Sequence, residues 1–471
     1  MSKKNLLSIG IDFGTTFSFC CYLEGDTIRS LIPITENYGI PSLFYDDGNQ
    51  KSFGRIAAKK LNNPRTSKNV ISSVKRRLNE TGYLLVAGDN KYTVEDIIRE
   101  IVCNMVEGAI KTATETYQID FTDDFRIEAV VTVPVGFSEP EKKLIEECIS
   151  SIVMPNGKHL VVLKLVPEPV AAAIEYFGLR TPEDRDILVY DLGGGTFDSA
   201  WVHSNKDENE IPYEVLDQNG DPHLGGDDWD NAIANWLKEQ YLKEFPDETI
   251  SKHDESYLTY YARDLKEDLT QLESTSWEVD MHGNVAEGEL TREKFEQLTK
   301  PLLDRTLQKL DDIIQRRGRK PDHIILTGGS SLMPQVHASI QQKFPNVDVR
   351  NVDPAHAIAN GAARYADWLR QRPTTGKPNK KGDMVQKISS HAYGISYHYS
   401  DTNNIEICIL IPRGAKLPCS AKTSSYTRRN NQYNSEFVVF ELDSHEGEGS
   451  RIPESSGKQI MSVTLSRPTD R

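Results

Sequence analysis

The sequence predicts an α/β protein, a duplicated unit carrying two glycine-rich hairpins, followed by a small all-β domain. Three observations predict it. The stretch ILVYDLGGGTFDSAWV (187–202) and the stretch IGIDFGTTFSF (9–19) share one order: apolar strand, Asp, Gly-rich tip with Thr, second apolar strand. Between and beyond them, short apolar runs alternate with amphipathic helical patterns. After residue 370 the character changes to polar turns between short alternating strands.

In the second hairpin, Asp191 ends the apolar run and Gly193, Gly194 and Gly195 form the tip before Thr196, Phe197 and Asp198. Three residues without Cβ let backbone N–H groups approach an anion closely. Carboxylates flanking a phosphate need a cation, and Mg²⁺ with retained waters suits them. The first hairpin repeats the design with Asp12, Gly14, Thr15 and Thr16. Either hairpin alone reads as an ordinary glycine-rich turn; two copies in the same order read as a duplicated domain whose phosphate hairpins face each other.

The chain has 471 residues, a length for roughly three domains. A net charge of −15 argues against nucleic acid or anionic membrane as a partner held by bulk charge. The six cysteines show no CxxC or His-paired spacing and the 11 histidines no metal spacing, so zinc is not expected and the thiols read as reduced, in a cytoplasmic protein. No signal peptide or bilayer-length apolar run is seen.

In order, Leu6–Ile32 is a meander of strands, and short strands follow around Ser42–Tyr45 and Gln50–Phe53. Within Ser67–Asn79, Val70, Val74 and Leu78 have helical spacing, which leaves Lys75, Arg76 and Arg77 consecutive. Val94–Thr114 is an amphipathic helix, Ile127–Val133 a buried strand stopped by Pro134, and Ser138–Ile152 a capped helix. The strand Leu160–Leu165 runs into Pro167-Glu168-Pro169, where flanking prolines fix the direction of a carboxylate aimed at the hairpin cleft. Val170–Phe177 is an Ala-rich helix.

Beyond the second hairpin come a strand at Tyr213–Gln218 and the segment HLGGDDWD, with Gly226 and Asp227 at the start of a helix to Phe245. A helix at Tyr257–Leu272, a strand at Ser276–Asp280 and a long helix at Thr291–Arg316 follow. A strand at His323–Leu326 ends in Thr327-Gly328-Gly329-Ser330-Ser331 before the helix Pro334–Phe344, an arrangement that turns glycine backbone and a helix N-terminus toward a ligand. Val352–Trp368 is a small-residue stretch suited to close packing. The expected domains are 1–369, a Pro/Gly/Lys-rich linker over 370–389, and a β domain over 390–471 with strands at Tyr393–Tyr399, Ile405–Ile411, Phe437–Leu442 and Ile460–Leu465.

In order, GIDFGTTFS, VPVGFSEPEK, VPEPVAAAIEYFGL, YDLGGGTFD, HLGGDDWDN, LTGGSSLMP and DPAHAIANGAA make nearly the whole chain resemble the seventy-kilodalton heat-shock (DnaK-type) chaperone family, on the actin-like ATPase fold with two lobes and four subdomains. The resemblance implies ATP or ADP with Mg²⁺, and K⁺ as a further candidate. Asp12 and Asp191 would hold the Mg²⁺–nucleotide through waters. Gly14, Thr15, Thr16 and Phe17, with Gly193, Gly194, Gly195 and Thr196, would cradle the phosphates. Lys75 matches the family's catalytic lysine and Glu168 the carboxylate that orients or deprotonates the attacking water, with Asp198 close by. Gly226, Asp227, Lys266, Gly328, Gly329 and Ser330 would surround the nucleoside, and Pro134 and Lys142 would relay nucleotide state to a peptide-binding domain. Implied partners are polypeptide clients, a J-domain protein and a nucleotide-exchange factor.

The departures from the family pattern lie at the base end and at the junctions. Glu267 and Leu332 stand where the family sandwiches adenine between arginines, Arg263 where it has a ribose-contacting Glu, Ala355 and His356 where it has an acidic pair, and Asp227 where it has Glu. The linker GDMVQKISS is interrupted by Gln386 and Lys387, Lys164 and Pro167 replace Arg and Asn of the J-domain contact, and no helical lid is expected within these 471 residues, whether through divergence or truncation. Two functions are therefore expected side by side: a slow ATPase chaperone, or an ATP-switched adaptor for one dedicated partner. A sugar kinase would need a further Asp facing a sugar site, and a filament protein would not need the β domain.

Overall fold

The computed structural model describes residues 4–33, 39–61, 65–178, 183–207, 211–371, 383–399, 404–424, 434–444 and 446–466. The chain opens with β1 (Lys4–Phe13), β2 (Phe17–Glu24) and β3 (Thr27–Ser30), with β4 (Ile40–Pro41) against β2. A peripheral group follows: β5 (Phe44–Asp46), β6 (Lys51–Phe53), α1 (Gly54–Leu61), β7 (Val70–Ile71), β8 (Leu85–Ala87), β9 (Asn90–Tyr92) and α2 (Val94–Glu115). Next come β10 (Phe121–Val133), α3 (Glu139–Ser150), β11 (Val161–Pro167) and α4 (Glu168–Gly178). The run then repeats with β12 (Arg185–Leu192), β13 (Phe197–Ser204), β14 (Tyr213–Asp221), α5 (Gly226–Glu244), α6 (Lys252–Gln271), β15 (Ser274–Met281), β16 (Asn284–Thr291), α7 (Arg292–Arg317), β17 (His323–Thr327), α8 (Pro334–Lys343), β18 (Asp348–Asn351) and α9 (Ala357–Arg370).

The two large sheets share one wiring. The first runs β11-β10-β1-β2-β3 and the second β18-β17-β12-β13-β14. In each, the strand that ends in the hairpin Asp has an antiparallel partner on one side and a parallel pair on the other. The repeat read from two short motifs therefore extends to strand order and direction. Strands buried on both faces explain the continuous apolar runs, such as Ile187–Tyr190.

The Ala-rich helices α4 and α9 pack on each other between the sheets. The contact is backbone-close: a Cβ at Gly361 would run into the Ala171 carbonyl, and one at Gly10 into the backbone of Ala363. Small residues there let one helix pair touch both sheets and set the distance between the hairpins.

One sequence expectation needs correction, and two strands were not expected. Residues 67–79 do not form one helix. Val70–Ile71 pairs with β5, and single 3-10 turns stand at Ser67–Asn69 and Val74–Arg76. Ser73 at φ 49° breaks the run, so the spacing of Val70, Val74 and Leu78 reflects burial in a turn-rich segment. The stretch before α7 holds β16, which completes a hairpin with β15, and β18 precedes α9; both are too short or too polar on one face to signal themselves.

After α9, residues 372–382 of the expected linker lie outside the described residues. The chain then forms β19 (Val385–Gln386), β20 (Ala392–His398), β21 (Ile405–Ile411), β22 (Asn434–Leu442), β23 (Arg451–Pro453) and β24 (Lys458–Ser466). β19 adds to β14 as a parallel edge strand. The others form an antiparallel sheet ordered β23-β21-β20-β22-β24, with Ile407, Ile409, Phe440 and Leu442 buried on one face. No helix among the described residues is long and apolar enough to cross a membrane.

Candidate active site

The two hairpin tips meet. At the second tip the Gly193 N–H donates to the Thr196 carbonyl (3.0 Å). The N–H groups of Gly226 and Asp227 donate to the carbonyls of Gly193 (2.9 Å) and Gly194 (2.7 Å), which fixes the tip to the start of α5. A Cβ on Gly194 would collide with Thr16 Oγ1, and one on Gly195 with the Thr15 side chain. Glycine is therefore required for the tips to approach. The first tip is held from behind by Ser42, whose hydroxyl donates to the Gly14 carbonyl (2.7 Å).

Behind the tips four acids and one lysine are buried together: Asp12, Glu168, Asp191, Asp198 and Lys75. Lys75 Nζ donates to Glu168 Oε1 at 2.5 Å. Glu168 is the first residue of α4, and its flanking Pro167 and Pro169 lie at the junction of β11 with that helix. Thr132 Oγ1 donates to Asp12 Oδ1 (2.9 Å), and the Val135 N–H to Asp198 Oδ1 (2.7 Å). Burial, reinforced by Glu168 and opposed by Lys75, pushes Asp12 up to about 7. Burial and Glu168 push Asp198 up to about 8 and hold Asp191 well above the ordinary carboxylate range.

A cleft of about 770 Å³ runs outward from this cluster. Its walls include Asp12, Gly14, Thr15, Thr16, Phe17, Lys75, Glu168, Asp191, Gly193, Gly194, Gly195, Thr196, Asp227, Lys266, Gly328, Gly329 and Ser330. Residues read from separate motifs thus converge on one cavity. Gly226 sits at its edge, where its carbonyl accepts from Lys266 Nζ (3.0 Å). Asp198 lies beside the cleft with its Oδ1 on Val135. Pro134 and Lys142 stand outside it, and Lys142 pairs with Glu139 (2.8 Å) at the start of α3.

The outer end is built by one stripe of α6, Tyr260, Arg263, Glu267 and Thr270, facing Leu332, Pro354 and Ala355. Arg263 contacts Asp227 and Asp230, each at 3.1 Å. Two contacts missed from sequence bridge the mouth: Ser73 Oγ to Asp227 Oδ2 (2.9 Å) and Arg76 Nη2 to Asp228 Oδ2 (2.9 Å). The three consecutive basic residues 75–77 were the available signal, but each takes a different partner. Lys75 goes inward, Arg76 goes across the cleft, and Arg77 pairs with Glu80 at the surface.

The donor set fits a hydrated divalent cation between the tips. Asp191 Oδ1 and Thr16 Oγ1 are buried oxygens without a hydrogen-bond partner, and the Asp12 carboxylate lies in the same cluster. Hard oxygen donors that are few and rigid suit Mg²⁺ retaining waters.

The family model described as Hsp70 protein matches residues 8–448. The chain belongs to the Hsp70 family. It is 31% identical over 374 residues to the chaperone protein DnaK of Halobacterium salinarum (strain ATCC 29341 / DSM 671 / R1), and equally to that of strain ATCC 700922 / JCM 11081 / NRC-1. In each case the match takes in 77% of this chain and 56% of the relative. This Hsp70-family chain therefore spans little more than half the length of the curated relatives it matches.

Proposed function

We propose that this Hsp70-family chain is an ATP-dependent, chaperone-like protein that binds Mg²⁺-ATP in the cleft, hydrolyses it slowly and couples its state to polypeptide binding by the C-terminal strands. The observation that carries the reading is the meeting of two strand–Asp–Gly–Thr tips over the buried Lys75–Glu168 pair. Phosphoryl transfer needs positioning and charge neutralisation more than covalent chemistry, and this cluster supplies both.

In this reading the matched wiring of the two sheets is the core of a two-lobed actin-like fold with four subdomains. Residues 370–389 are a linker and residues 390–471 a β domain. Tip backbone from Gly14–Phe17 and Gly193–Thr196 holds the phosphates; Gly226, Asp227, Lys266 and Gly328–Ser330 hold the nucleoside. Asp12 and Asp191 hold a hydrated Mg²⁺, which supplies charge neutralisation at the phosphates when bound. Lys75 orients the attacking water and Glu168 accepts its hydrogen bond, while Asp198 adds negative charge beside Thr196. Water attacks the terminal phosphorus, the bond to the bridging oxygen breaks, the water's proton passes to a phosphate oxygen, and ADP and inorganic phosphate leave. For polypeptide segments, β24 offers exposed Met461, Val463 and Leu465 at every second position along an edge strand, a surface suited to extended apolar chain. J-domain and nucleotide-exchange proteins are the co-chaperones this reading implies.

The test is calorimetry with Mg²⁺-ATP together with single-turnover hydrolysis. Binding with slow turnover supports the reading, and no binding overturns it. Binding without turnover favours the second reading, an ATP-switched adaptor for one partner. One observation already leans that way: Glu267 and the half-exposed Leu332 put an acid and an aliphatic group, not cations, at the two positions where the family has arginines. Introducing Glu267→Arg with Leu332→Arg is expected to tighten Mg²⁺-ADP about tenfold or more, since each cation–π contact contributes roughly 0.5–2 kcal/mol.

Binding is also expected to depend on pH. Burial pushes Asp12 up to about 7 and Asp198 up to about 8, so the ligand-free cleft keeps part of its protons at pH 7, and a cation held by Asp12 favours the ionised forms. Affinity for Mg²⁺-nucleotide therefore rises from pH 6 through about pH 9, where these carboxyls are ionised without the ligand. Calorimetry at pH 7 in buffers of different ionisation enthalpy reads the released protons directly.

A further inference from the structure

The segment Pro134–Ser138, between β10 and α3, is gripped from two sides. On the cleft side the Val135 N–H donates to Asp198 Oδ1 (2.7 Å), and Lys75 Nζ lies 5.8 Å from the Phe137 ring centroid. On the other side the C-terminal sheet reaches the start of α3. The Glu139 N–H donates to Glu441 Oε2 (3.0 Å), and Lys458 Nζ donates to Ser138 Oγ (3.2 Å). Glu441 is buried, and its Oε2 also accepts from the Tyr393 hydroxyl (3.2 Å), so its carboxylate is aimed rather than free to rotate.

We propose that Glu441 is a positioning residue for the cleft: by holding the first turn of α3, it keeps the Val135 N–H on Asp198. This rests on the ATPase reading above. A carboxylate at a helix N-terminus is favoured by the free N–H groups and the helix dipole. α3 already has its own cap, since Glu141 Oε2 accepts from the Ser138 N–H (2.7 Å). Glu441 is a second acid on the next N–H, delivered from another part of the chain. The stretch between the two grips is short and stiff. Pro134 fixes its own φ, Val135 and Phe137 are buried, and a Cβ on Gly136 would press on Pro222. Such a segment shifts as a unit, so release at Ser138–Glu139 reaches Val135. The nearby charges include Lys142, paired with Glu139, and Lys458, and His391 also faces Glu441; neither lysine replaces a carboxylate as an acceptor for a backbone N–H.

The test uses the full chain with Glu441→Ala, Glu441→Gln and Lys458→Ala, alone and with Asp198→Asn. Amide exchange of residues 134–138 is read by mass spectrometry, and steady-state hydrolysis gives kcat and KM. Glu441→Ala is expected to speed exchange of 134–138 several-fold and lower kcat about five- to tenfold, with KM for Mg²⁺-ATP within twofold. Glu441→Gln, which keeps an acceptor oxygen, recovers much of both, and Lys458→Ala shifts both in the same direction more weakly. In the Asp198→Asn background, Glu441→Ala adds little. Wild-type exchange over 134–138 in Glu441→Ala overturns the proposal, as does a full, additive loss of kcat on top of Asp198→Asn. If Glu441→Ala does not fold, Glu441→Gln and Lys458→Ala carry the same comparison. If the wild type hydrolyses no ATP, the ATPase reading falls, while the exchange measurement still decides whether Glu441 holds this segment.

Discussion

Lys75→Ala is expected to slow single-turnover ATP hydrolysis by about a hundredfold or more while Mg²⁺-ATP still binds. Lys75 is the cation buried with Asp12, Glu168, Asp191 and Asp198, and it donates to Glu168 at 2.5 Å. A positioned charge at the reacting phosphate, in a water-poor site, commonly contributes ~10²–10³ in rate. The same substitution leaves four buried acids without their lysine, and breaking one partner of a buried pair typically costs about 3–5 kcal/mol of stability. The two effects are separable. Glu168→Gln removes the pair but keeps the lysine's charge, so it should cost less stability and retain more activity than Lys75→Ala. The double variant Lys75→Met, Glu168→Leu should recover stability without recovering turnover. Measuring melting temperature and turnover on the same samples checks this, and turnover near wild type in Lys75→Ala would remove the lysine from the mechanism.

How much of this cluster was legible in the sequence follows from the range of each interaction. The hairpins were readable because Asp, Gly and Thr do their work within a few residues of each other. Glu168 was readable because two prolines flank it. The depth of Lys75 was not readable, because its segment carries helical spacing while Ser73 adopts a left-handed conformation and Val70–Ile71 pairs with β5. Asp227 and Asp228 both read as acids at a helix start. Asp228 does accept from the Gly225 N–H (2.8 Å), but Asp227 spends its oxygens on Ser73 and Arg263. Contacts such as Arg76–Asp228 and Glu139–Glu441 join residues far apart in sequence, and no local pattern announces them. β19 is two residues long, below the length at which alternation means anything.

That short strand underlies the second large effect, an expected tightening of its docking by Lys387→Met. β19 pairs with β14, where the Tyr213 N–H donates to the Met384 carbonyl (3.1 Å). Just beyond, Lys387 Nζ donates to the Leu165 carbonyl at the end of β11. Around it stand Lys164, which pairs with Asp383 (3.0 Å), and Glu139 and Lys142 of α3. Burial first, then the neighbouring Lys164, lowers Lys387 from 10.5 to about 8. A lysine that prefers to lose its proton on docking resists docking at neutral pH, where the free form is charged. Methionine keeps the length and flexibility of the chain and removes the charge. Docking is therefore expected to strengthen about tenfold or more at pH 7, after allowance for the lost hydrogen bond to Leu165. The readout is exchange protection of the Tyr213 amide, corrected for intrinsic rate. In the wild type, protection rises as pH climbs from 8 toward 10.5, because the docked lysine deprotonates before the free one. In Lys387→Met it starts higher and stays flat. Lys387→Arg, which cannot lose its proton, should dock no better than wild type and show no rise. Weaker protection in Lys387→Met would mean that the ammonium–carbonyl hydrogen bond outweighs the cost of burying the charge.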